Sequence, residues 1–332
     1  MTTTISLAAR DFIVVGADSL ATVSREYLNF DKVQSSFFKP TGEPLTDAAG
    51  NPVLANIAQI SQMTDWLPVN QLPNVTKVFA LDPKPMAILF AGISRIGDVS
   101  VKNLVEQFIE SAGFPAAQTV QAVVDLLRDF SMSIYDQQIP NKAERPMMEI
   151  LISGYSESSR QPEIFRLMLY WDWSKQDFVA DINPEVKPGN YNITFGGQYD
   201  VIQRVVSGVD VTSFTNLKAR SQEVLEAYRA KVEADLAAAG HPLAVIPPDS
   251  NDPDLDIFAK NWGGVTRIFA NVSDLSEHAG VEFVKFLINT MIKSQEYSSS
   301  IPTVGGDIHI AVITKNSGFS WISKPYSHRA GN

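Results

Sequence analysis

The sequence predicts an α+β fold of antiparallel sheets covered by helices. Two observations carry this: strand signals come in pairs joined by tight turns, and the helical segments gather between those pairs instead of alternating with single strands. The order reads strands, helices, strands, helices, strands, and a doubly wound parallel sheet fits it less well.

Taken in order, residues 2 to 9 and 12 to 18 are apolar and β-branched around Arg10 and Asp11, which reads as a hairpin. Lys77 to Leu81 and Met86 to Ile93 form a second pair, turned at Asp82 and Pro83. Between the pairs, about Val23 to Pro73 is rich in Asn, Gln, Pro and Asp without sustained periodicity, so an elaborated loop or small subdomain is expected there. Val101, Leu104, Val105, Phe108 and Ile109 share one helical face. Val120, Val123, Val124, Leu127 and Ile134 repeat the pattern after Gly113 and Pro115.

Strand character resumes in Met147 to Ser153 and Glu163 to Trp171 around a SESSRQ turn, and again in Tyr191 to Phe195. Asn216 to Ala239 is rich in strong helix formers and stops at Gly240. A proline-rich acidic stretch, 242 to 256, reads as a surface loop. Val281, Val284, Leu287, Ile288, Met291 and Ile292 trace another helix, and Asp307 to Thr314 with Gly318 to Ile322 closes the chain as a hairpin.

Composition narrows the function. The 332 residues can bury a sizeable core, and no internal repeat is visible. A net charge of −10 and the lack of any Lys/Arg run argue against nucleic acid. With no cysteine, thiolate nucleophiles, disulfides and Cys-based zinc sites are excluded. Nothing resembles a signal peptide or a membrane span, so a cytoplasmic location is expected.

Most catalytic signatures fail. GISRIGD has Asp98 where a phosphate loop needs lysine. The four histidines, His241, His278, His309 and His328, show no ligand spacing, and His309 reads as structural or exposed. DSNDPDLD, residues 249 to 256, alternates acids as a calcium loop does, but Pro253 stiffens it and no glycine turns it. No metal and no cofactor is expected. What remains is MTTT: removal of Met1 would expose Thr2, whose α-amine, with an ordinary pKa of about 7.7–8.0, can accept the proton of its own hydroxyl.

TTTISLAARDFIVVGADSLAT resembles the start of a mature proteasome β-subunit, with the interval from Thr2 to Asp18 matched without a gap. NVTKVFALDP resembles that family's lysine segment and ILFAGISRIGD the strand that follows it. EILISGYSES and VGGDIHIAVITKNSGFSWI resemble later strands, in the family's order. The resemblance, to a divergent bacterial-type member, implies a four-layer αββα sandwich of the N-terminal nucleophile hydrolase class, one domain over 1–332 with insertions at about 23–73 and 209–262. It implies a threonine-type endopeptidase in which Thr2 is the nucleophile, Lys77 the neighbouring cation, Asp18 its partner and the Gly92 amide the oxyanion donor. Ala21, Thr22, Val75 and Phe90 would border an apolar, shallow substrate pocket.

It also implies a peptide or unfolded-protein substrate, self-association into rings, and an unfoldase as a conceivable partner. One departure stands out. Where the family has a Gly-Ser-Gly-Ser stretch that positions the threonine amine, this chain has FGGQYD, with Gln198 or Tyr199 in place of a serine. Glu296 and Ser298 to Ser300 are the candidates for the acid and serine expected before the last glycine pair. Two alternatives follow: an inactive assembly subunit of the same fold, or a small-molecule amidase.

Overall fold

The computed structural model describes residues 2–39, 41–46, 51, 64–159, 161–208, 211–240, 272–298 and 301–324. Within them, two five-stranded sheets organise the molecule, and every strand pairing is antiparallel. The first sheet contains β1 (Thr3–Ala8), β2 (Ile13–Asp18), β12 (Asn192–Gly197), β13 (Ile308–Thr314) and β14 (Gly318–Ser323), in the order β12-β1-β2-β13-β14. The second contains β5 (Val78–Ala80), β6 (Met86–Ala91), β9 (Met148–Gly154), β10 (Glu163–Asp172) and β11 (Asp177–Val186), in the order β11-β10-β9-β6-β5.

Strand alternation separates the side chains into distinct cores. Ile13, Val15 and Ala17 of β2 share a cluster with Ala87 and Leu89 of β6 and Leu151 of β9, so these faces of the two sheets meet. On its other face the first sheet places Ile5, Leu7, Val14, Ile310 and Val312 against α4 (Asp200–Ser207) and α6 (Glu277–Glu296). The other face of the second sheet places Ile88, Phe90, Ile150 and Leu167 against α2 (Val101–Glu110) and α3 (Val120–Gln138).

Local sequence explains where these helices begin. Ser100, Thr119 and Ser276 each accept a backbone N–H of the first turn at α2, α3 and α6, meeting donors that have no intrahelical partner. Gly208, in the left-handed conformation, ends α4.

Several expectations need revision. Of the two expectations for 23–73, an elaborated loop or a small subdomain, the described residues form regular structure: β3 (Ala21–Leu28) pairs with β4 (Thr64–Leu72) as a separate sheet, and α1 (Phe30–Phe37) lies between them in sequence. GISRIGDVS contains a short hairpin, β7 (Arg95–Ile96) with β8 (Val99–Ser100). β11 and α4 were not anticipated. Alternating Asp, Asn, Pro and Glu masks β11, which as a sheet edge needs only one paired side. The charged helix is α5 (Val211–Ala238), beginning earlier than Asn216. The acidic stretches 242–256 and 249–256 and the histidines His241 and His328 lie outside the described residues.

No helix among the described residues is long and apolar enough to cross a membrane.

Candidate active site

β1 and β2 form a hairpin, so the start of one strand lies beside the end of the other, and Thr4 stands opposite Ala17. This brings Asp18 to the N-terminal segment. Its carboxylate is fully buried and accepts four hydrogen bonds: from Thr3 N at 2.9 Å, Leu20 N at 3.2 Å, Gly305 N at 3.0 Å and Lys77 Nζ at 2.8 Å. A buried carboxylate needs such a set, because each unmet lone pair would carry its full desolvation cost.

Lys77 is equally enclosed, with its side chain 5% exposed, and also donates to Leu20 O at 2.5 Å. Burial lowers its pKa from the usual lysine value, and the charge and hydrogen bond of Asp18 oppose that fall. Lys77 immediately precedes β5 and Gly92 immediately follows β6. Since β5 and β6 are antiparallel, with Val78 opposite Leu89, both stand at the same end of the second sheet. Gly92 has φ of +100°, and a Cβ built there would lie 3.0 Å from Met147 O, so only glycine suits this corner.

Thr2 is 6% exposed and accepts a hydrogen bond at its carbonyl from Gln198 N at 2.7 Å. The Oγ1 of Thr3 donates to Gln198 O at 2.6 Å. Met1 lies outside the described residues. The fold therefore gathers Thr2, Asp18 and Lys77 about one junction, with Gly92 on the facing sheet. That facing sheet is close: a Cβ at Gly197 would lie 2.9 Å from the Thr2 carbonyl carbon and 3.2 Å from Ala91 Cβ.

The pocket candidates divide. Ala21 and Thr22 open β3, half-buried, directly after Leu20, and Val75 N donates to Ser19 O at 2.8 Å. These three surround the Ser19–Leu20 turn beside Lys77. Phe90 does not join them. Its ring lies in the core under α2 and α3, edge-on to Phe79, and the adjacent Ala91, like Ala87 and Leu89, is on the face of β6 toward the first sheet.

Gln198 and Tyr199 also part. The Gln198 Oε1 accepts from Thr303 Oγ1 at 2.7 Å and from Gln295 Nε2 at 3.5 Å, whereas Tyr199 stacks on Phe195 in the helix-covered core. Glu296 pairs with Lys293 at the surface, and the Ser298 hydroxyl donates to Gln295 O. Ser299 and Ser300 are outside the described residues. Thus Gln295 and Thr303 reach the side chain of Gln198, whose backbone N–H donates to Thr2 O. Their side chains gave no sequence signal, because only the docking of α6 on the first sheet brings them to Gln198.

Two further groups lie close by: His309, which the sequence left as structural or exposed, and the pair Glu149 and Arg166, which it did not single out. His309 is 1% exposed on β13. Burial lowers its pKa, an effect to which Lys77 adds and which Asp307 and Asp18 oppose. Glu149 of β9 and Arg166 of β10 form an ion pair between the sheets. Glu149 Oε2 accepts from Gly197 N at 2.8 Å. A lone Glu within EILISG carries no pattern that separates it from a solvated strand charge.

Among the described residues no three His, Asp or Glu side chains converge to hold a metal ion. A cleft of about 320 Å³ opens at the far end of β6, lined by Pro83, Pro85, Phe114 and Pro115 among others. It lies away from Thr2, beside the turn that joins β5 to β6.

No protein-family model matches the sequence, and no curated protein does. Among solved structures, the chain is similar to one described as the Anbu (Gly-1) mutant from Hyphomicrobium sp. strain MC1. The two share 10% sequence identity with a TM-score of 0.42, over 97% of this chain and 88% of that chain.

Proposed function

We propose that this protein is a threonine-type peptidase of the N-terminal nucleophile class, built as a four-layer αββα sandwich and active once Met1 is removed. The observation that supports it most is the Asp18 carboxylate, which binds both Lys77 Nζ and the amide of Thr3, the residue next to Thr2. Burying a lysine and an aspartate together is costly, and hydrophobic replacements of similar volume are often neutral or stabilising. A cation beside a would-be nucleophile gives that cost a chemical use.

In this reading Thr2 Oγ attacks the carbonyl carbon of a peptide bond while its proton passes to the Thr2 α-amine, directly or through a water. The N–H of Gly92 donates to the oxyanion that forms. The ammonium then returns the proton to the departing peptide nitrogen as the C–N bond breaks, leaving an ester on Thr2. Water hydrolyses the ester with the α-amine again as base. Lys77, its charge held by Asp18, acts electrostatically by favouring the unprotonated amine and the developing alkoxide.

Ala21, Thr22 and Val75 border the place where a side chain of the substrate would lie, with the small Ala91 opposite, so apolar residues are preferred at the cleaved position. The substrate is a peptide or an unfolded protein. Self-association into a ring, in which such sites face a chamber, belongs to the same reading, with the β3–β4 pair and α5 as additions to the sandwich.

The experiment is intact-mass measurement before and after treatment with a peptide epoxyketone, which needs both a hydroxyl and a free α-amine on one residue. The expected result is loss of Met1, one adduct on the wild type and none on Thr2→Ala. An unlabelled protein that lacks Met1 and cleaves no peptide would instead favour an assembly subunit without activity. The neutral Gln198 in place of a serine is the feature that motivates this second reading.

A further inference from the structure

We infer that Glu149 and Arg166 form a clasp that positions Thr2, by holding the edge strand of the first sheet from the second sheet. This rests on Thr2 being the nucleophile. Among the described residues β12 is the outermost strand on its side, and only β1 pairs with it. Gln198 N–H donates to Thr2 O, which makes that residue pair a hydrogen-bonded one. In an antiparallel ladder the bonded pairs alternate, so at the Gly197–Thr3 and Phe195–Ile5 positions the backbone groups of β12 point away from β1.

Those outward groups are the ones the clasp takes. Glu149 Oε2 accepts from Gly197 N at 2.8 Å, and Arg166 Nη2 donates to Phe195 O at 2.8 Å. Arg166 Nη1 pairs with Glu149 Oε1, and Arg166 Nε with Glu185 Oε1 at 2.6 Å. One guanidinium thus bridges two carboxylates and the strand edge.

Glu149 also stands opposite Ala91, the residue before Gly92. Glu149 therefore reaches from β9, the strand paired with β6, to the end of β12, beside the Gln198 amide that binds the Thr2 carbonyl. The glycine pair in FGGQYD fits this clasp. A Cβ at Gly196 would lie 2.5 Å from Thr4 Oγ1 and 3.3 Å from Glu149 Oε1, and one at Gly197 would lie 2.0 Å from Thr2 O. Nearby, the space between the sheets holds Ala8, Val15, Leu89 and Leu151 together with the neutral Ser6–Ser153 hydroxyl pair, which makes a largely enclosed ion pair here a poor choice for stability alone.

The test compares Glu149→Gln, which retains an oxygen acceptor for Gly197, with Glu149→Met, which has none, and with Arg166→Lys, which cannot reach two partners in one plane. Peptide kcat is normalised to the Thr2 sites titrated by the epoxyketone, so unfolded protein does not enter the rate. Misplacement by about 1 Å costs on the order of 100-fold in rate. Glu149→Met and Arg166→Lys are expected to lose roughly that in kcat with KM within about twofold, while Glu149→Gln stays within about tenfold of wild type.

Wild-type kcat in Glu149→Met or in Arg166→Lys overturns the clasp, as does an equal loss in Glu149→Gln and Glu149→Met. If Glu149→Met fails to fold, Arg166→Lys against Glu149→Gln decides the matter. A wild type that takes no adduct overturns the nucleophile itself, an outcome distinct from all of these.

Discussion

Asp18 concentrates more of this protein's architecture than any neighbouring residue, because one fully buried carboxylate satisfies three backbone amides and an ammonium. Removing it leaves Lys77 charged, buried and unpaired. Asp18→Ala is therefore expected to lower stability in urea denaturation by about 3–5 kcal/mol. Adding Lys77→Met should recover part of that loss, since no buried charge then remains. A double variant no more stable than Asp18→Ala would show that the amides, not the lysine, dominate. The sequence marked Asp18 and Lys77 through their contexts. It could not mark Glu149 or Arg166, whose roles arise from a contact between sheets.

At the scale of elements, α6 shows how far periodicity reaches. Its stripe of Val284, Leu287, Ile288 and Met291 was legible in the sequence, and these residues are buried against β1, β2 and β13. Leu287→Ala should cost about 2–5 kcal/mol by thermal or chemical denaturation. Phe286→Ala, one position away but 51% exposed, should change stability by no more than about 0.5 kcal/mol. Equal losses would mean the apolar stripe does not face the sheet. The β3–β4 pair was less visible, because its strands carry Ser, Arg, Glu, Asp, Pro and Asn in place of alternating apolar residues.

For the molecule as a whole, stability depends on protons held differently by the folded and unfolded chain. His309 is buried neutral, its pKa below the ordinary 6.5 chiefly through burial. Below pH 6.5 the unfolded chain binds a proton that the folded one does not, so stability falls with pH until the lowered folded value is passed. His309→Gln is expected to flatten the first part of the acid limb, between pH 6.5 and the carboxylate range near 4, in a urea midpoint series. An unchanged slope there would place the titration elsewhere. In the sequence His309 reads as structural or exposed; it shares the inward face of β13 with Ala311 and Ile313, and that puts it inside.

The sequence by itself determined the hairpin order and the helical stripes and singled out Thr2, Asp18, Lys77 and Gly92 as candidates, since period, turn chemistry and local context are properties of neighbours along the chain. Only the tertiary structure decided that Phe90 turns from the site and Ala91 toward it, and that Gln295 and Thr303 reach Gln198. It alone brought Glu149 and Arg166 to the edge of β12. Those pairings join residues tens to more than a hundred positions apart, and they depend on which face of each strand the packed helices leave to meet the other sheet.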